Sequence, residues 1–190
     1  MHMRWFTADF HLGHANIIKY CNRPFASWQE MDEKLLDNLA SMVHDGDTLY
    51  YLGDLTFNFD RAIEFLKRFS NIKLHFIPGN HDSSKVLRLL DDKGVLEQPI
   101  VEININGHHA TLCHYAMRTW NKSYHNAWQL HAHSHGGLPP VGKQLDVGVD
   151  NNKYMPFSEK DIETIMDARP DNENFIKEGS RGDDAGAADG

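Results

Sequence analysis

The chain has 190 residues, of which 41% are hydrophobic and 24% charged, a composition that fits a globular domain and excludes a collagen, a coiled coil and a disulfide-rich scaffold. The 19 Lys and Arg against 27 Asp and Glu leave a net charge of −8, which argues against a protein that coats nucleic acid or an anionic membrane. The unusual feature is 13 histidines against two cysteines.

The sequence predicts one domain over residues 1–170, followed by an acidic, Gly/Ala/Asp-rich and disordered tail over residues 171–190. Because no signal-peptide stretch and no run of ~18 apolar residues is apparent, we expect a soluble, cytoplasmic protein. The cysteines, Cys21 and Cys113, are predicted to be reduced thiols of the core rather than a disulfide.

In the first half of the chain, apolar runs of strand length alternate with segments of helical spacing. The predicted strands cover residues 3–7, 47–52 and 72–77, and the predicted helices cover residues 28–43, 60–69 and 83–91. Ser27 and Glu30 form a capping box at the start of the first of these helices.

The second half of the chain has the period of two that is typical of β-strands. Asn106-Gly107 predicts a hairpin turn, and the return strand ends at His114. Further strands are expected over residues 128–133 and 145–149, before a final helix over 158–168. This order of elements predicts an α/β fold of two packed sheets with helices outside.

Carboxylate, imidazole and amide side chains follow five successive strand ends. Because ligand sites of α/β sheets lie at the carboxyl ends of strands, we expect these side chains to meet. Each short motif alone is typical of a turn or a cap, but the set has the mixed nitrogen and oxygen ligands of a Mn, Fe, Zn or Ni site. The residues are Asp9 and His11, Asp54, Asn80 and His81, His114, and His133 and His135.

The order Asp9-x-His11, Gly53-Asp54, Gly79-Asn80-His81-Asp82, His114 and His133-x-His135 resembles the calcineurin-like metallophosphoesterase family, whose pattern is D-x-H, G-D, G-N-H-[DE], H and G-H-x-H. The resemblance covers about residues 3–150, and residues 9–25 are similar to a compact bacterial and phage branch. It implies a four-layer α/β/β/α sandwich of two mixed sheets flanked by helices, and a phosphoesterase with two divalent ions, Mn²⁺ first and Fe, Zn or Ni as alternatives.

The resemblance also implies a role for each residue. The nucleophile would be a metal-bound hydroxide, and two ions beside two carboxylates would attract phosphate despite the net charge of −8. His81 would be the catalytic histidine that donates a proton to the leaving group, and Asp82 would orient it. One metal would be held by Asp9, His11 and His135, the other by Asn80, His114 and His133, and Asp54 would bridge them.

One residue departs from the family pattern. Ala132 stands where the pattern has a glycine. Because glycine tolerates a positive φ that a methyl group disfavours, the alanine predicts a less accurate placing of His133 and a weaker second metal site.

Several residues have two interpretations. His14 opens a helix or touches substrate, and Arg23 binds phosphate or forms a surface salt bridge. Trp120, Tyr124 and Trp128 form a platform for a base or pack in the core.

The expected partner is a small phosphoester such as a nucleotide, with no membrane and no nucleic-acid coat. A phosphodiester is the first choice, and a phosphomonoester of a nucleotide or phosphoprotein is the second. The other classes are a non-catalytic interaction scaffold of the same fold and a mononuclear structural metal protein. The complete ligand set argues against both, since a closed structural site needs only four ligands.

Overall fold

The structure is a computed structural model that describes residues 2–177. The strands of these residues are β1 (Arg4–Thr7), β2 (Thr48–Tyr51), β3 (Lys73–Phe76), β4 (Ile100–Ile105), β5 (His108–Cys113), β6 (Trp128–His131), β7 (Gln144–Asp146) and β8 (Phe157–Ser158). The helices are α1 (Ala15–Tyr20), α2 (Trp28–Met42), α3 (Phe59–Arg68), α4 (Ser84–Asp92) and α5 (Glu159–Ala168), and 3-10 turns lie at Ser123–His125 and Val149–Asn151.

The strands form two four-stranded mixed sheets, which confirms the predicted α/β class. The first sheet has the order β3-β2-β1-β8, with β1, β2 and β3 parallel and β8 antiparallel to β1. The second has the order β4-β5-β6-β7, in which the antiparallel hairpin β4-β5 is followed by the parallel strands β6 and β7. Asn106 and Gly107 form the hairpin turn with φ of 48° and 93°, as predicted.

Side chains of the first sheet alternate between two cores. Trp5 faces the helices α1 to α4, and its neighbour Phe6 faces the second sheet. Leu49 likewise faces the helices, and Leu52 faces the second sheet. Because successive strand residues point to opposite faces, a continuous apolar run gives a strand that is buried on both sides.

The second sheet is covered differently on its two faces. Leu130 faces the core between the sheets, whereas Gln129 points away from that core and bonds the backbone of Tyr115 and Met117. The segment 115–127 therefore covers the outward face of this sheet. Helix α5 contributes to the core between the sheets and packs near β1, β7 and β8.

Some boundaries differ from the sequence prediction. The strand expected over residues 145–149 covers Gln144–Asp146 only; Gly148 forms an isolated bridge to Ala8, and a 3-10 turn begins at Val149. Strand β8 was not predicted, since two residues are too short to show a period. Trp128 is 2% exposed and lies in the core, which decides against its role in a base platform. No helix within residues 2–177 is long and apolar enough to cross a membrane.

The first residues of the predicted tail pack against the domain. Asn172 is 5% exposed, and its side-chain amide bonds the carbonyls of Ser123 and Ala127 at 2.9 and 3.0 Å. The side-chain Oδ1 atom of Asn172 accepts a hydrogen bond from the backbone N–H of Lys143 at 2.7 Å. The prediction of disorder therefore stays a prediction for residues 178–190 only, which lie outside the described residues.

Candidate metal centre

The seven predicted metal-ligating side chains lie at one edge of the two sheets. The loops after the parallel strands β1, β2 and β3 emerge at the same edge of the first sheet, and those after β5 and β6 emerge together from the second. A parallel bridge between Ala8 and Gly148 joins the two groups of loops at this edge. Topology thus places residues that are up to 126 positions apart side by side.

Five of the seven residues have left-handed backbone conformations, which L-residues adopt at an energetic cost that is commonly found at functional sites. Hydrogen bonds between loops maintain this backbone: the N–H groups of Asp9 and His11 donate to the carbonyls of Gly53 and Asp54, both at 3.0 Å. The φ angles are 63° for Asp9, 54° for His11, 59° for Asp54, 69° for His133 and 48° for His135.

Two glycines allow the loops after β2 and β3 to touch. A Cβ at Gly53, whose φ is 88°, would lie 2.6 Å from the backbone nitrogen of Gly79. A Cβ at Gly79 would lie 2.4 Å from the backbone nitrogen of Asp54. Since contacts this short exclude any side chain, the Gly-Asp and Gly-Asn-His sequences are the local requirement for placing Asp54 beside Asn80.

The first group of candidate ligands consists of Asp9, His11 and His135, whose ligand atoms all lie within 4.8 Å of one another. The Nδ1 atom of His135 lies 2.7 Å from a carboxylate oxygen of Asp150. Nε2 of this ring is therefore the nitrogen left for a metal, an arrangement that is usual for histidine ligands.

The second group consists of Asp54, His114 and His133, again with ligand atoms within 4.8 Å of one another. His114 Nε2 lies 3.4 Å from Asp54 Oδ2 and 3.2 Å from Asn80 Oδ1, while its Nδ1 lies 2.7 Å from the carbonyl of Leu52. Asn80 thus joins this group.

Asp54 connects the two groups. Its Oδ2 atom also lies 3.6 Å from His11 Nε2, so one carboxylate oxygen faces a histidine of each group.

The residues fit a bound cation because several of their buried polar atoms have no hydrogen-bond partner. Asp9 Oδ1, Asp54 Oδ2 and both ring nitrogens of His11 are buried without a hydrogen bond. Buried polar atoms are normally satisfied, and unpaired ones that converge on one point indicate a missing ligand. The donor set of carboxylate, imidazole and amide suits divalent transition metals.

Burial determines the direction of the pKa shifts of Asp9 and His11, but not that of His135. It raises the pKa of Asp9 to about 7 and lowers the pKa of His11 to about 3, so His11 is neutral at pH 7, the form that binds metals. Burial also lowers the pKa of His135, but hydrogen bonds to Asp150 and Cys21 outweigh it and raise the value to about 10.

At Asp54, polar interactions outweigh the effect of burial on the pKa. Burial favours the protonated acid, but interactions with His114 and the His81 N–H outweigh it and hold the pKa of Asp54 below its usual range.

His81 and His14 lie on the open side of the centre. The His81 N–H donates to Asp54 Oδ1 at 2.7 Å, and its exposed ring lies 5.0 Å from the ring of His11. His14 precedes α1 without a side-chain cap, and its ring lies 5.8 Å from that of His11 and 6.2 Å from that of His81. His14 thus opens the helix, as the first interpretation had it, and also lies beside the site, whereas its contact with substrate stays a prediction.

The structure corrects the role predicted for Asp82. Its carboxylate accepts the N–H groups of Asp54, Leu55, Thr56 and Gly79 at 2.9 to 3.3 Å, rather than contacting the His81 ring. The side chain is 6% exposed, and burial raises its pKa to about 6. Asp82 thus holds the loops after β2 and β3 together instead of orienting the imidazole.

Arg23 forms a salt bridge, as one interpretation predicted, but the pair is buried rather than at the surface. The residue is 4% exposed and pairs with Asp150, while its Nη atoms donate to the carbonyls of Asp9 and Phe10 at 2.6 and 2.9 Å. A guanidinium that is satisfied behind the site is available neither to substrate nor to the surface.

Two residues beside His135 were missed from the sequence. The half-buried thiol of Cys21, predicted to lie in the core, groups with His135 and Asp150 within 4.8 Å. Asp150 directly follows the strand that the sequence predicts over residues 145–149, so the strand-end argument that selected Asp9 would also have selected it.

The structure contradicts the premise of the prediction for Ala132, while the predicted weakness of the second metal site stays a prediction. Ala132 does not have a positive φ, and its methyl group is fully buried in the core between the sheets. The following N–H, of His133, donates to Asp9 Oδ2 at 3.0 Å, so an alanine is compatible with the backbone that presents His133.

Fold and site define an α/β protein with two neighbouring groups of candidate metal ligands. No family model matches the chain. The chain is 32% identical over 160 residues to the uncharacterized protein MJ1445 of Methanocaldococcus jannaschii, an alignment that covers 80% of this chain and 84% of that protein. The chain belongs to the same family as this Methanocaldococcus jannaschii protein.

Solved structures are also similar. The Aquifex aeolicus protein of unknown function AQ665 is 25% identical with a TM-score of 0.66, and the match covers 87% of this chain and all of that one. A structure described as a novel archaeal phosphodiesterase is 14% identical with a TM-score of 0.43, over 76% of this chain and 82% of that one. The second likeness is too low to support an argument about function.

Proposed function

We propose that this protein is a metal-dependent phosphoesterase that uses two divalent ions, Mn²⁺ in the first place, to hydrolyse a phosphodiester. The observation that carries the proposal is the position of Asp54 Oδ2, which is buried without a hydrogen bond between His11 of one group and His114 of the other. A single carboxylate in this position suits a pair of cations.

When bound, two divalent ions neutralise charge on phosphoryl oxygens and lower the pKa of water. Asp9, His11 and His135 would hold one ion, and Asn80, His114 and His133 the other. The chain prepares these ligands in advance, because the carboxylate of Asp150 and the carbonyl of Leu52 fix the rings of His135 and His114 through Nδ1.

His81 would transfer the proton to the leaving group. The hydrogen bond from its N–H to Asp54 fixes its main chain at the metal centre, while its ring is exposed beside His11. An imidazole in this position can donate to the leaving oxygen, a contribution worth about 10²- to 10⁴-fold in rate.

A diester is proposed over a monoester because the outer side of the centre is open. Asn80, His81 and His133 are all exposed, which leaves space for two ester arms. The monoesterase and the non-catalytic scaffold become outcomes of the test.

The test is a panel of bis(p-nitrophenyl) phosphate and p-nitrophenyl phosphate, assayed with Mn²⁺, Ni²⁺, Zn²⁺ or Mg²⁺ after removal of metal by chelation. We expect diester turnover that depends on the added ion. Turnover of the monoester alone would contradict the diester assignment, and no turnover with any ion would contradict a phosphoesterase.

His81→Asn tests the proton transfer. The variant should bind the same number of ions by elemental analysis and lose about 10²- to 10⁴-fold in kcat. His125→Asn, at an exposed histidine of the 3-10 turn, is the matched control. Full activity of His81→Asn would show that His81 is not the acid.

A further inference from the structure

Two exposed aromatic rings lie against the imidazole of His14. Tyr20 is 75% exposed and Phe57 is 47% exposed. Their ring centroids lie 6.4 and 5.2 Å from that of His14, both at steep angles to it. Since the His14 ring is 5.8 Å from that of the candidate ligand His11, the three rings form one aromatic surface at the border of the metal centre.

Hydrogen bonds hold the loop that carries Phe57 in place although solvent reaches the ring. Phe57 lies between Thr56, whose hydroxyl donates to the carbonyl of Leu12 at 2.7 Å, and Asn58, which caps α3. The loop that carries Phe57 is thereby tied to the loop that follows β1. A large ring that is fixed and exposed beside a polar centre is typical of a binding surface.

The imidazole of His14 forms the inner part of this surface. Its Nδ1 atom is buried, whereas the rings of Tyr20 and Phe57 that lie against it are exposed. The two exposed rings are therefore the part of the surface that a planar group can reach.

On the opposite side of the metal centre, the exposed aromatic ring belongs to a residue that is already hydrogen-bonded to a candidate ligand. Tyr115 is 46% exposed, but its hydroxyl already donates to Asn80 Oδ1 at 3.3 Å, so it is connected to the second group of ligands. The rings of Tyr20 and Phe57 instead lie against His14, which is not one of the candidate metal ligands.

We propose that Tyr20, Phe57 and His14 form a subsite for a nucleobase on one ester arm of the substrate, an inference that rests on the proposed phosphoesterase function. The base stacks on the exposed rings of Tyr20 and Phe57, as bases do on aromatic side chains. The substrate class is then a nucleotide diester, with the phosphate at the metal centre.

The experiment compares two diesters that share one leaving group. Thymidine 5′-(p-nitrophenyl) phosphate carries a base, and methyl p-nitrophenyl phosphate does not. We expect the ratio of their kcat/KM values to favour the nucleotide in the Mn²⁺-loaded wild type and to fall about tenfold in Phe57→Ala and in Tyr20→Ala, since a lost stacking contact has about this effect. Tyr124→Ala, at a 42% exposed tyrosine whose ring packs on His125, is the matched control.

The outcomes separate the subsite from the reaction. If both diesters are hydrolysed and the ratio is unchanged, or if both lose activity equally, the subsite assignment is overturned and the phosphoesterase stands. If neither is hydrolysed, the phosphoesterase fails, and calorimetry with thymidine 5′-phosphate decides about the subsite. Binding that Phe57→Ala weakens about tenfold supports it, and equal or absent binding overturns it.

Discussion

Arg23 and Asp150 form a buried, bidentate ion pair, with Nε to Oδ1 and Nη2 to Oδ2 both at 2.8 Å. The second oxygen also lies 2.7 Å from His135 Nδ1. Burial favours the protonated form of Asp150, but its bonds to His135 and Arg23 outweigh this and hold its pKa below the usual range. Arg23 also donates to the carbonyls of Asp9 and Phe10. The ion pair therefore links the backbone of the loop after β1 to the orientation of the His135 ring.

This relationship predicts that Asp150→Asn weakens the first metal site. The amide removes the negative charge that orients His135, and changes of this kind cost about 10- to 100-fold in metal affinity. Titration calorimetry with Mn²⁺ measures the change, and thermal unfolding in chelator shows that the variant folds. Asp37→Asn makes the same change at an exposed ion pair with Arg68 and should leave the affinity unaltered. Wild-type affinity in Asp150→Asn would contradict this prediction.

Asp82→Ala is expected to destabilise the protein by about 3 kcal/mol, because it leaves buried backbone N–H groups without acceptors. Urea unfolding in the presence of chelator measures the loss without a contribution from bound metal. Asp82→Asn retains one oxygen acceptor and should lose less. If both variants are as stable as the wild type, Asp82 does not hold the two loops together.

Ala132→Gly should fail to strengthen metal binding. The residue does not have a positive φ, so glycine offers no relief of strain, and loss of a buried methyl group costs about 1 kcal/mol. Mn²⁺ stoichiometry and activity should match those of the wild type while the free energy of unfolding falls. A gain in the second metal site would show that the methyl group does impair the placing of His133.

The hydrogen bonds of the Asp47 carboxylate predict that its protonation contributes to the loss of stability in acid. Burial favours its protonation, but the N–H groups of Met3 and His44 and the Trp5 indole outweigh this, so its pKa lies below 3.8. A depressed folded pKa gives stability that is complete above the unfolded value of about 3.9 and is lost as the pH falls through the folded value.

The measurement is urea unfolding from pH 7 to pH 2 in chelator. Asp47→Asn should cost about 1 kcal/mol at pH 7 and show a shallower loss of stability below about pH 4. An exposed control, Asp60→Asn, should follow the wild-type curve. Parallel pH dependences of Asp47→Asn and the wild type would contradict the assignment.

The sequence by itself determined the elements and the residues that follow them. Buried runs such as residues 47–52 and the Asn106-Gly107 turn are local patterns, and they predicted β2 and the hairpin β4-β5. The order of Asp, His and Asn at strand ends indicated which side chains would meet, because parallel strands present their carboxyl ends at a common edge.

Only the tertiary structure decided which atoms of these residues face each other. Arg23 is adjacent to a polar turn in the sequence, yet it is buried against Asp150, 127 positions away. Asp82 follows His81 directly but turns toward the backbone after β2. Hydrogen-bond partners are selected by packing between two sheets, at distances along the chain that no local pattern spans, and so the supporting residues of the site became visible only in the fold.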